Sequence, residues 1–244
     1  MTPIFQKILL FAFIPVLTMI VGGLIAIKNP PKALYRSAIL HFAAGVLLSV
    51  VAVEMLPDIL RRHLVTEVII GFSMGTILML LVRKFFEPTI VKGSLNKKRS
   101  TLPISFLVAI VIDMFIDGFV LGIGFASGVK LGMFLALGLA IELLITGIAV
   151  VTELGQANTP KLKSMIMIVG VALIFFISAI LGGTLLKNLN SSGMTFVLSF
   201  GMAAELFLIT EELLKEAHEE EENHWATATF YVGFLLFVVL EMVV

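Results

Sequence analysis

Eight runs of about twenty apolar residues, parted by short polar breaks, constrain this chain more than any motif in it. Roughly 20 residues of helix cross the hydrocarbon of a bilayer. Inside it every backbone N–H and C=O needs a partner within the protein, so continuous runs of this length resolve into spanning helices. The expected spans are residues 4–27, 37–60, 68–86, 102–126, 131–154, 162–186, 193–214 and 225–244. Composition agrees, with 59% apolar and 14% charged residues and a mean hydropathy of +1.10, far outside the soluble range. The expected fold is all-α and polytopic. Residues 1–244 form one eight-helix transmembrane domain that contains a basic loop at 87–101.

The first run is about twice the length of a signal-peptide core and lacks a strongly basic start and a small-x-small cleavage site, so it reads as a helix that stays. Turn signals lie at Asn29-Pro30-Pro31, at 157–160 and at 188–193. With no cysteine, disulfides, thiolate metal sites and nucleophilic thiols are excluded. The net charge is zero and the charges sit in loops, which gives nucleic acid no basic face to bind.

Orientation follows from the basic residues in alternate loops. One set holds the twelve residues Lys28, Lys32, Arg36, Arg83, Lys84, Lys92, Lys97, Lys98, Arg99, Lys161, Lys163 and Lys215; the other holds the five residues Lys7, Arg61, Arg62, Lys130 and Lys187. The positive-inside rule puts the richer set in the cytoplasm and both termini outside a cell membrane. The basic loop is then a topology signal, with anionic lipid as a minor partner. A shift of 158 residues also lays the second span over the seventh, Glu54-Met55-Leu56-Pro57-Asp58 falling on Glu212-Leu213-Leu214-Lys215-Glu216 and His41 on Ser199. The two spans run in opposite directions. The pattern is that of an inverted repeat, helices 1–3 against 6–8 around a central hairpin of helices 4 and 5, as in secondary transporters.

Asp113 and Asp117 lie inside the fourth run and Glu142 inside the fifth, and neither run holds a Lys, Arg or His. An ionisable residue near the bilayer midplane costs about 2.5–3.5 kcal/mol even on the mildest scale. Four residues apart on a helix, the two aspartates share one face about 6 Å apart along the axis. The loop 127–130 is short enough for a hairpin turning near Gly128, and Asp113 lies fifteen residues before that glycine and Glu142 fourteen after it. All three acids therefore reach one depth. The missing counterion is either protons or a carried cation, and oxygen ligands without imidazole or thiolate suit harder divalent ions. Met114 and Thr146 are auxiliary donors. A protonated cluster that only hydrogen-bonds helices together is the bland alternative. Gly118, Gly122, Gly128, Gly132, Gly138 and Gly147 around these acids read first as close helix packing.

Other polar residues form a thinner trail. Glu205, Glu211, Glu212 and Glu216 lie toward the cytoplasmic end of the seventh helix, followed by an acidic loop with His218 and His224 at its ends. These residues suit a cation exit or sensor, or a solvated loop. His41 near the start of the second helix, and Glu54 and Asp58 near its outer end, are pathway candidates, although Arg61 or Arg62 can simply pair with Asp58. Enzyme readings find little: there is no Ser, His and Asp set, no phosphate loop and no dinucleotide motif, and no catalytic residue is expected.

These residues together resemble the ZIP family of divalent metal transporters over nearly the whole chain. Asp113-Met114-Phe115-Ile116-Asp117-Gly118 stands in the place of that family's fourth-helix His-Asn-x-Pro-Glu-Gly. Glu142-Leu143-Leu144-Ile145-Thr146-Gly147 stands in the place of its fifth-helix His-Glu-x-Pro-Glu-Gly. Glu211-Glu212-Leu213-Leu214-Lys215-Glu216-Ala217-His218 tracks its seventh-helix end, and Phe42-Ala43-Ala44-Gly45 with Met55-Leu56-Pro57-Asp58 has its second-helix character. The resemblance implies uptake of zinc, iron, manganese or cadmium as substrate, with no resident cofactor. It also implies a block containing helices 4 and 5 that moves against the rest, and a homodimer. Here both motif histidines have become acids and both prolines are gone, which leaves one oxygen-rich site. A proton or monovalent-cation pathway and a non-transporting scaffold are the competing readings.

Overall fold

The computed structural model describes residues 3–28, 33–86, 104–156, 158–218 and 224–243. The basic loop expected at 87–101 and the acidic run 219–223 lie outside the described residues. Among those described there is no strand, and eight helices are long and apolar enough to cross a membrane. They are α1 (Pro3–Lys28), α2 (Leu34–Arg62), α3 (Val65–Phe86), α4 (Ile104–Ser127), α5 (Val129–Gln156), α6 (Lys161–Leu185), α7 (Ser191–His218) and α8 (His224–Val243). The chain is an all-α, multi-pass membrane protein. Short turns join α2 to α3, α4 to α5 and α6 to α7 on one side, the turn face; the opposite side, rich in Lys and Arg, is the basic face.

Burial is inverted relative to a soluble protein. Large apolar side chains such as Leu10, Phe13, Ile69, Met74, Ile77, Leu235 and Val239 face outward, while His41, Asp117, Glu142, Ser178, Thr195, Ser199 and Glu205 are buried. That pattern suits a solvent of lipid, in which polar groups turn inward. In the most apolar window of α5 and of α7, 72% is buried, against 17% for α3 and α8, so α5 and α7 are central and α3 and α8 peripheral.

The helices form two bundles. In the first, α1 packs on α5, α4 on α6, α1 on α6 and α4 on α5; in the second, α2 packs on α8 and α3 on α7. The bundles meet where α2 touches α5 and α4 touches α7. Exchanging α1–α3 with α6–α8 and α4 with α5 turns each of these packings into another or into itself, as an inverted repeat requires. Glycine permits two of the closest crossings. An added Cβ at Gly22 would overlap the Leu144 carbonyl and one at Gly147 the Met19 carbonyl, so α1 and α5 touch backbone to backbone. Gly45 and Gly233 do the same for α2 and α8 against Phe230 and Phe42.

A second mark of the repeat is local. Within α2 the segment Val51–Met55 is a π-helical turn, and within α7 so is Leu208–Leu213, with Leu56 N–H reaching Val51 O and Leu214 N–H reaching Ile209 O. The same 158-residue shift carries 51–55 onto 209–213. In α2 the cause lies two residues on: Pro57 has no N–H to give and its ring crowds the carbonyl one turn back, which a π turn accommodates. In α7 the equivalent residue is Lys215, and the π turn forms without a proline.

The expected spans match these helices to within a few residues, with two corrections. The second helix begins earlier than residue 37, and α7 continues past 214 to His218, because Lys215 and Glu216 end the apolar run but not the helix. At the other end of α7, Asn190 caps the helix by accepting the Gly193 N–H at 2.8 Å. Overpacking at a backbone crossing costs about 1–3 kcal/mol. Gly147→Val should therefore lower the thermal unfolding midpoint in detergent by several degrees. Gly170, whose Cβ position is open, should accept Ala without loss.

Candidate metal centre

The α4–α5 connection is tighter than expected from sequence. Only Gly128 is non-helical between Ser127 and Val129, with Gly128 N–H bonded to Gly124 O at 2.9 Å and Gly132 N–H to Gly128 O at 3.1 Å. This hairpin sets the two helices in register, and Asp113 and Asp117 of α4 meet Glu142 of α5. One carboxylate oxygen from each lies within 4.8 Å of the others. A hard cation binds oxygens at about 2.0–2.6 Å, so two ligand atoms around one ion lie up to roughly 5 Å apart. The observed spread is that of a site one ion can fill.

The electrostatics point the same way. Asp117 is 4% and Glu142 1% exposed, and Asp113 is half-buried. Asp117 Oδ2 and Glu142 Oε2 have no hydrogen-bond partner. Among the described residues the ion pairs of Lys and Arg go to Glu54, Asp58, Glu211, Glu216 and Glu241, and none goes to this cluster. Buried carboxylates without partners are costly, and a bound cation or a proton is what relieves that cost.

A fourth acid belongs here. Glu205 of α7 is 2% exposed, both its oxygens lack partners, and it lies within electrostatic reach of Asp113, Asp117 and Glu142. From sequence it stands with the acids at the end of α7; the structure sets it apart, about two helical turns before Glu212. The signal was the one that marked the others, an acid flanked by Met202-Ala203-Ala204 and Leu206-Phe207. Glu212 is half-buried in the π turn and also acts electrostatically on Asp117 and Glu142.

The remaining candidates are dispersed. Met114 is fully buried in the apolar core. The Thr146 hydroxyl donates to the Glu142 carbonyl at 3.3 Å and keeps its lone pairs for a ligand. Glu54 is held 3.5 Å from Lys130, which also binds Glu241 at 2.5 Å; Asp58 pairs with Arg62 at 3.1 Å and accepts from Ser127 at 2.7 Å. These contacts join α2 and α8 to the α4–α5 turn and so latch the two bundles together at the turn face. Glu211 pairs with Arg83 and Glu216 with Arg36. His224 is exposed at the start of α8, and His218, at the end of α7, meets His41. Gly118 and Gly122 pack against α6 at Phe175 and Ala179, so their role is close approach.

No family model matches the chain, and no curated protein does. The site's chemistry predicts a specific stability signature. Asp117→Asn removes a buried carboxylate without a partner, so the metal-free variant should unfold a few degrees above the wild type. It should also lose the stabilisation that added Mn2+ gives the wild type, and differential scanning fluorimetry reads both.

Proposed function

We propose that this protein is a transporter, not an enzyme, that carries a divalent transition-metal ion across the membrane into the cytoplasm, with Asp113, Asp117 and Glu142 as its ligands at mid-membrane. The observation that carries the reading is the convergence of three acids from an α4–α5 hairpin, within one ion's coordination span and, among the described residues, with no ion pair to neutralise them. Oxygen ligands favour manganese or iron as substrates, and zinc or cadmium follow from the ZIP resemblance. Orientation rests on the loop charges, which set the basic face in the cytoplasm of a cell membrane.

Two further features support a carrier. The acids sit on the first bundle and face Glu205 and Glu212 on the second, so the site lies where the bundles meet. With Lys130 bound to Glu54 and Glu241, and Ser127 to Asp58, the turn face is the latched side. Alternating access then means releasing that latch and moving the bundle that bears the ligands, in the homodimer that the resemblance implies. Each acid can take up a proton as the metal leaves, which offers a route to proton coupling.

A proton or monovalent-cation pathway is the second reading, favoured by the line of acids Glu205, Asp113, Asp117, Glu142 and Glu212. Uptake of Mn2+, Zn2+, Fe2+ and Cd2+ into proteoliposomes, alone and in competition, separates the two. For a metal carrier, Asp113→Ala, Asp117→Ala and Glu142→Ala should each reduce uptake more than tenfold, and Asp113→Asn should abolish Mn2+ binding by calorimetry. Unchanged divalent binding in all three alanine variants would sink the metal reading.

A further inference from the structure

We propose that His41 and His218 form a second metal site, built of imidazole nitrogen and separate from the carboxylate centre, that takes a borderline divalent ion such as Zn2+ at the basic face. This deepens the transporter reading and rests on it only for the direction in which the ion passes. The two residues come from α2 and from the last turn of α7, and their rings lie edge to face with centroids 4.9 Å apart.

The hydrogen bonds decide which nitrogen is available. His41 Nδ1 donates to the Ser37 carbonyl at 2.9 Å, and His218 Nδ1 donates to the Leu214 carbonyl. A carbonyl can only accept, so each Nδ1 carries the proton and each neutral ring presents its lone pair at Nε2. His41 is 3% exposed and its Nε2 has no hydrogen-bond partner, which for a buried acceptor calls for an occupant. Donation from the non-ligating nitrogen to a backbone carbonyl is also the arrangement that orients histidines bound to metal.

Ring spacing fits an ion between them. With Zn–N about 2.05 Å and the ring centre about 1.15 Å behind the nitrogen, the metal sits roughly 3.2 Å from each centroid. A 4.9 Å separation then corresponds to an N–Zn–N angle of about 100°, close to tetrahedral. The frame is braced: the Ser37 hydroxyl donates at 2.9 Å to the carbonyl of Ala217, the residue before His218, and Arg36 pairs with Glu216 across the same two helices. Glu211 and Glu216 on the same helix end are engaged by Arg83 and Arg36, so the pair offers nitrogen ligands and leaves further positions to water. An ion held by two protein ligands exchanges readily. Glu212, six residues before His218, is in electrostatic reach of the carboxylate centre and stands roughly 9 Å along the helix from the histidines. The site thus lies one step beyond the mid-membrane acids, toward the face where cargo leaves.

Equilibrium dialysis of untagged protein against Zn2+, with bound metal counted by elemental analysis, tests this directly. The wild type should bind two ions per chain and His218→Asn one. The combined variant Asp113→Ala, Asp117→Ala, Glu142→Ala should bind one, and none once His218→Asn is added. His218 is exposed, so its replacement leaves the fold intact; His41→Gln tests the buried partner, and His63→Asn should change nothing. If His218→Asn and His41→Gln each bind as much Zn2+ as the wild type, the histidine site is wrong. If instead the triple variant loses no ion while the histidine variants lose one, the carboxylate reading fails and the histidine site stands.

Discussion

Charge in the middle of a membrane must be answered, and the arrangement of this protein depends on how Asp113, Asp117 and Glu142 are left without a partner of their own. Among the described residues, the ion pairs of Arg36, Arg62, Arg83 and Lys130 go to acids outside the cluster. The hairpin at Gly128 holds two helices in the one register that brings the acids together, and glycine crossings such as Gly22 with Gly147 press α1 against α5 behind them. The packing therefore maintains an unfavourable electrostatic arrangement that only a mobile cation or proton relieves. A structural cluster would be one in which the protein supplied the opposite charge itself.

Much of this was legible in the sequence, for physical reasons that differ by element. A span of hydrocarbon sets a ruler of about 20 residues, so helix number and approximate limits follow from hydropathy alone. A carboxylate inside an apolar run is visible for the same reason, and helix rise converts the spacings around Gly128 into a shared depth. The inverted repeat was readable as a weak match over Glu54 and Glu212; the paired π turns and the exchangeable helix packings are its expression in space.

What sequence could not supply depends on contacts between distant residues. Lys130 and Glu241 are 111 positions apart, and nothing local to either announces the pair. From sequence His41 reads as a lone histidine and His218 as one end of an acidic loop with His224; only the packing of α2 on α7 brings the two rings together. Glu205 was visible as an acid among apolar neighbours, but its depth relative to α4 and α5 comes only from tertiary structure. The end of α7 was misjudged because charge density marks where lipid stops, and a helix need not stop there.

The paired π turns carry a mechanical implication. Each holds a surplus residue relative to an α-helix, equivalent to about 1.5 Å of length and 100° of rotation stored within the helix. Because α2 and α7 run antiparallel and both border the seam between the bundles, that slack lies along the second bundle's side of the seam at symmetry-related heights. A bundle sliding along the seam can be followed by a side chain such as Glu54 or Glu212 through local rewinding, with the rest of its helix still in register. The two helices that border the acid cluster thus each hold a spare residue, placed at equivalent points by the fold's internal symmetry.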